Sequence, residues 1–188
     1  MRNKYVLTRK DNVKYVFDNL DKLIANALCL SRYNDEDPLK DIAAENFRNA
    51  FNFIASSPEV ENDHNCMLEL HRMLMEGLDS DVNHTLSEEQ ISELSAMIDQ
   101  PAKANIEIAI DVMLYILDKR LFSDGDVRVA IMFANKIAID KGCGIITVNE
   151  DDCDTFRQLY KEYQETFSDN FKNWIYKYCV KGPKVEYS

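Results

Sequence analysis

Glycine and proline are scarce in this 188-residue chain, at five and four, which leaves little material for a many-stranded β fold and its turns. No apolar run reaches the roughly 18 residues that a membrane-crossing helix needs. The first ten residues are basic but lack the apolar stretch of a secretory signal. The five cysteines (Cys29, Cys66, Cys143, Cys153, Cys179) are odd in number and scattered, with no C-x-x-C pair. That spacing excludes a disulfide framework and a zinc ribbon, and fits reduced thiols acting as small hydrophobes in a cytoplasmic protein. There is no H-x-x-x-H or H-E-x-x-H, and no glycine-rich phosphate loop of Walker or Rossmann type. Basic residues are also few: 22 Lys and Arg against 33 Asp and Glu give a net charge of −11, and no basic cluster dominates any segment. Such a chain has no means of gripping nucleic acid through its phosphates.

What remains is helical periodicity over most of the length. Apolar positions at Val13, Val16, Phe17, Leu20, Leu23, Ile24, Ala27 and Leu28 predict one N-terminal helix over 11–30. Asp37 and Pro38 mark the start of a second helix, with Pro at its first position. A third carries Met67, Leu70, Leu74 and Met75 and stops at Gly77. Ser87 and Gln90 form a capping box for a short helix ending near Ile98. Pro101 opens the most apolar helix, expected to be the central buried one, and a further helix covers 129–141. An extended piece over 145–148 leads to Asn149 as an N-cap. A helix then runs to Phe167, and a last one over 169–181 carries the lone Trp174. The expectation is an all-α fold of seven or eight helices in one domain, 1–188, with the 11–30 and 169–181 helices packed on the rest.

Between the two most apolar helices lies Arg120, Leu121, Phe122, Ser123, Asp124, Gly125, Asp126, Val127 and Arg128. A tight Asp-Gly turn feeding a helix start offers free backbone N–H groups and a favourable dipole to an anion, and Arg128 adds a fork of donors. The bland alternative is a plain helix–helix turn with no ligand.

These nine residues resemble the signature H-x-F-x-[DE]-G-N-[GK]-R of the Fic/Doc (Fido) family. Flanking pieces agree in order and spacing. Residues 69–78 (Glu-Leu-His-Arg-Met-Leu-Met-Glu-Gly-Leu) resemble the family's upstream helix, and 134–142, with Asn135 and Gly142, the helix after the signature. Residues 145–156 resemble the segment beyond. The resemblance covers about 40–165. It implies a helical fold and transfer of AMP from ATP to a protein hydroxyl, with Mg²⁺ as cofactor and a target or partner protein bound. It also implies a short β-hairpin flap at 78–85, where this chain is acidic at Asp79 and Asp81.

Carried over residue by residue, the resemblance makes Phe122 the loop's anchor in the core and Asp124 the Mg²⁺ ligand. Gly125, Asp126 and Arg128 become the nucleotide-binding turn. His71 and Asn135 become structural supports. Three positions depart from the signature. Arg120 stands where the family has its catalytic base, and a guanidinium cannot accept a proton; general-base help is worth about 10²–10⁴-fold in rate. Asp126 replaces Asn and brings negative charge to the phosphate site. Val127 replaces Gly or Lys and resists a positive φ. A second arginine, common three positions after the first, is Ile131 here. Ser57, Glu61 and Asn62 match the letters of the family's inhibitory motif, but they follow the helix that the motif usually precedes.

The expected function is therefore a Fic-like pseudoenzyme, inactive or altered in AMP transfer, that binds nucleotide or a partner protein. A helical regulatory module without nucleotide binding is the rival, and an active protein adenylyltransferase is the third reading.

Overall fold

The structure is a computed structural model that describes residues 1–33, 35–78 and 84–183. Within them the chain is all-α, with one short antiparallel strand pair. The helices are α1 (Arg9–Asp18), α2 (Leu20–Leu30), α3 (Lys40–Ser56), α4 (His64–Met75), α5 (Glu88–Ile98), α6 (Asn105–Lys119), α7 (Asp126–Asp140), α8 (Cys153–Thr166) and α9 (Asn170–Trp174). Strand β1 (Ile145–Ile146) pairs with β2 (Val180–Lys181), with Ile146 opposite Val180. Among the described residues no helix is long and apolar enough to cross a membrane. Residues 79–83 of the expected flap and the tail from 184 onward lie outside the described residues.

The centre of the fold is α7 rather than the α6 segment. Every residue from Arg128 to Ile139 is buried, and α7 packs against α1, α3, α4, α6 and β1. A helix enclosed on all sides must be apolar all round, and Val129, Ala130, Ile131, Met132, Phe133 and Ala134 meet that demand. Two of its buried polar residues, Asn135 and Lys136, are partnered. The Asn135 side-chain amide donates to the Ile146 carbonyl at 2.8 Å and accepts from the Ile146 N–H at 2.7 Å, giving β1 a second backbone-like partner. The Lys136 ammonium is fully buried and meets Asp140 and the Val60 carbonyl, with Arg9 on the far side of Asp140.

Several boundaries differ from the sequence expectation, each for an identifiable reason. The 11–30 helix is broken at Asn19, whose side-chain amide donates to the Tyr15 carbonyl at 2.8 Å and so competes with the helical ladder. Its backbone N–H turns to Val16 instead. At the second helix, the Asp37 carboxylate accepts from the Leu39 N–H, which holds Pro38 and Leu39 in a turn, and α3 starts at Lys40. Helix α6 starts at Asn105 rather than Pro101, with a turn closed from Lys103 to Gln100 before it. Its first turn is capped from far away: the Asn3 side chain accepts from the Ile106 N–H at 3.1 Å. Asn149 precedes a short 3-10 turn, so α8 begins at Cys153, and the last helix ends in a π-helical turn over Ile175–Cys179.

At the end of α7, Gly142 takes a φ of +63° and its N-terminal neighbour in space is Leu7. The Leu7 N–H donates to the Gly142 carbonyl at 2.8 Å, and a Cβ on Gly142 would lie 2.0 Å from the Leu7 carbonyl oxygen. This is the closing Gly of the 134–142 resemblance, and here it lets the N-terminal segment reach the core.

Candidate functional site

The N-terminal end of α7 opens into a cleft of about 830 Å³. The 120–128 loop forms one wall, the end of α2 contributes Ser31 and Arg32, and α8 contributes Phe156, Arg157, Tyr160 and Lys161. Because α7 starts at Asp126, the N–H groups of Asp126, Val127 and Arg128 have no intrahelical acceptor. None of them donates to another acceptor among the described residues either.

The loop is fixed from below. Phe122 is buried and stacks on His71, with ring centroids 4.1 Å apart and planes 9° from parallel. His84 sits edge-on to both rings. His71 Nε2 lies 2.9 Å from the Asp124 carbonyl oxygen; burial lowers the pKa of His71, so the neutral ring donates there. Gly125 takes a φ of +89°, and a Cβ there would lie 2.7 Å from Met75 Sδ. The positive φ at the Asp124–Gly125 turn thus falls on Gly125. Val127 lies inside α7 in ordinary helical conformation, so its β-branch does not oppose the turn. Ile131, at the position of the missing second arginine, is buried in the core.

Each loop carboxylate, the exposed Asp124 and the half-buried Asp126, has one oxygen bonded within the loop itself. Asp124 Oδ1 accepts from the Gly125 N–H at 2.7 Å, and Asp126 Oδ1 accepts from the Phe122 N–H at 3.1 Å. Burial pushes the Asp126 carboxyl up to about 6, with the Phe122 N–H and Arg120 acting against it. Asp126 is therefore first of all a clamp across the loop. Among the described residues no set of three His, Cys, Asp or Glu side chains converges to hold a metal ion.

Arg128 is the pivot of the site. The residue is only 9% exposed, yet its guanidinium has no carboxylate within 4 Å among the described residues. One nitrogen donates to Met75 Sδ at 2.7 Å, a weak acceptor, and another to the Tyr33 hydroxyl at 2.6 Å; the Tyr33 ring lies 4.9 Å from the guanidinium carbon. Two of five donors are used, so three remain for a ligand. A guanidinium held this deep without counter-charge costs several kcal/mol.

The rest of the cleft repeats the imbalance. Arg9, Arg48, Arg72 and Arg157 each pair with a carboxylate. Arg2, Arg32, Arg120 and Arg128 have no carboxylate within 4 Å among the described residues, and the last three line this cleft, joined by the exposed Lys161. Arg120 ends α6 in the left-handed conformation (φ 47°), which turns its side chain back beside the Tyr160 hydroxyl. That hydroxyl donates to the Leu117 carbonyl at 2.8 Å and accepts from Gln164. The cleft thus holds Arg32, Arg120, Arg128 and Lys161 beside the two loop carboxylates, Asp124 and Asp126.

Arg32, Tyr33, Tyr160 and Lys161 were not legible as site residues from the loop motif. One signal for α8 was present: Arg157, Tyr160, Lys161 and Gln164 recur at helical spacing and so share a face. Nothing local marked Arg32 and Tyr33, which the end of α2 delivers through the fold. Ser57, Glu61 and Asn62 lie at the other end of α7, where residues 57–63 fold as turns and Asn62 donates to Asp140 at 3.1 Å. The 15-residue α7 spans about 22 Å, so this segment is not an inhibitory helix over the cleft.

Comparison with known families and with curated proteins gives no match for this chain.

Proposed function

We propose that this protein is a Fic-like pseudoenzyme that binds the phosphates of a nucleotide such as ATP in the 120–128 cleft without efficient AMP transfer. The observation that carries this reading is the buried Arg128, unpaired with any carboxylate among the described residues, beside the open N-terminal amides of α7. An oxyanion there supplies the missing counter-charge, accepts from the three free guanidinium donors and meets the positive end of the helix dipole. The apolar wall of Leu30, Leu117, Phe122 and Phe156 suits a flat base, and the cleft has the volume of a typical ligand pocket. Loss of the base at Arg120 removes proton abstraction from an attacking hydroxyl.

ATP at about 100 times its Kd should stabilise the wild-type chain by about 2.7 kcal/mol, or roughly 5–10 °C in Tm. Arg128→Ala should abolish that increment relative to its own unliganded melting. Equal melting of the wild type with and without ATP contradicts the reading, and it favours the helical partner-binding module.

A second reading has one observation behind it: the Asp126 carboxyl, at about 6, is poised near neutrality within the cleft. An altered transferase with Asp126 as proton acceptor would label a protein hydroxyl from α-labelled ATP, and Asp126→Asn would stop it. The pseudoenzyme reading expects no label from either protein.

A further inference from the structure

The resemblance to Fic proteins brings Mg²⁺ with the nucleotide, and the loop offers it few free ligand oxygens. Asp124, exposed at the expected ligand position, has one carboxylate oxygen taken up by the Gly125 N–H of its own loop. Asp126 is turned onto the Phe122 N–H. Among the described residues no group of three or more His, Cys, Asp or Glu side chains converges with them. A divalent ion beside a polyphosphate serves to neutralise oxygens that would otherwise repel one another and the protein's carboxylates. In this cleft that charge is already present on side chains. Arg120, where the family has a neutral or titrating histidine, is a permanent cation. It is held at the mouth by a left-handed backbone residue and by contact with Tyr160. Lys161 follows Tyr160 on the same helix, exposed and with no carboxylate within 4 Å among the described residues.

We propose that the cleft takes its phosphate ligand without a divalent cation, with Arg120 and Lys161 supplying at the rim the positive charge that Mg²⁺ supplies in the family. This rests on the nucleotide-binding reading above and narrows its ligand to the free polyanion: the fully charged triphosphate, not its magnesium complex. The left-handed backbone of Arg120 fits the same view. A residue with a Cβ is held there against its preference, at a position where glycine would relieve the strain.

Calorimetric titration of ATP into the full chain, once in EDTA and once with excess Mg²⁺, tests this. Binding in EDTA should equal or exceed binding with Mg²⁺, because the magnesium complex carries less negative charge. Arg120→Ala and Lys161→Ala, both at exposed positions that leave the core intact, should each weaken binding in EDTA about tenfold. Lys10→Ala, an exposed charge far from the cleft, should change it less than twofold, and Asp124→Asn should not weaken it. ATP binding that requires Mg²⁺, or that is indifferent to Arg120 and Lys161, overturns the inference while leaving nucleotide binding in place. No ATP binding in either buffer overturns both.

Discussion

Replacing Asp126 by asparagine should make the protein more stable at neutral pH, by an amount that depends on pH. The half-buried carboxyl accepts from the Phe122 N–H at 3.1 Å, yet burial raises its pKa from 3.8 to about 6. Asp124 pushes the same way, while the Phe122 N–H, Arg120 and His84 pull against the rise. Between pH 3.8 and about 6 the folded protein therefore holds the proton more tightly than the unfolded chain does. The favourable contribution is complete below the unfolded value and is lost as the pH rises through the folded one. At about 1.36 kcal/mol per pH unit, the interval from 3.8 to about 6 sets an upper bound of roughly 3 kcal/mol. Water reaching the partly exposed carboxyl reduces this to about 1–2 kcal/mol. Asparagine keeps the oxygen that accepts from Phe122 and cannot ionise. Thermal melts of both proteins from pH 4 to pH 8 should show the variant about 2–8 °C more stable at pH 7.5, with the two curves converging near pH 4. A difference that does not change with pH, or a wild type that is the more stable at pH 7.5, would refute the reasoning.

Three other outcomes follow from the geometry. Arg120→Gly should raise stability by about 1 kcal/mol in denaturant melts, because glycine accepts the left-handed conformation without a Cβ clash, while ATP binding weakens. At the other end of α7, Asp140→Ala leaves the fully buried Lys136 ammonium without its counter-ion and should cost about 3–5 kcal/mol. Lys136→Met fills the same space without charge and leaves Asp140 paired to Arg9, so it should cost clearly less; the reverse order would show that the pair is not organised as described. Gly142→Ala should destabilise strongly in the same melts, since its Cβ would meet the Leu7 carbonyl oxygen at 2.0 Å; a change under about 0.5 kcal/mol would contradict that contact.

The helical class was legible because periodicity reports burial, and burial is what holds these helices. The apolar stripe of α3 and the continuous apolar run of α6 are local properties of the chain. The capping box at Ser87 and Gln90 was equally local, and it forms as the letters read. The break at Asn19 was not visible, since the same side chain sits harmlessly in many helices until it competes with its own ladder. The start of α6 depended on Asn3, about a hundred residues away, which no local pattern reports. The choice of α6 over α7 as the central helix failed for a related reason. Arg128, Asn135 and Lys136 make α7 look less apolar, and their burial rests on partners supplied by α2, β1 and the Val60 turn. The loop itself stood out from its Asp-Gly turn and Arg128. The cations that give the cleft its character, Arg32 and Lys161, come from elements remote in sequence and converge only through packing.

The central claim is that Arg128 and the first turn of α7 hold phosphate. A crystal structure of the full chain with a non-hydrolysable ATP analogue, grown in EDTA, tests it most directly. The account predicts phosphate oxygens within hydrogen-bond distance of the Arg128 guanidinium and of the N–H groups of Asp126 to Arg128, with Arg120 and Lys161 drawn toward them. An analogue bound elsewhere, or a cleft in which Arg128 keeps only its contacts to Met75 and Tyr33 at saturating analogue, would contradict it.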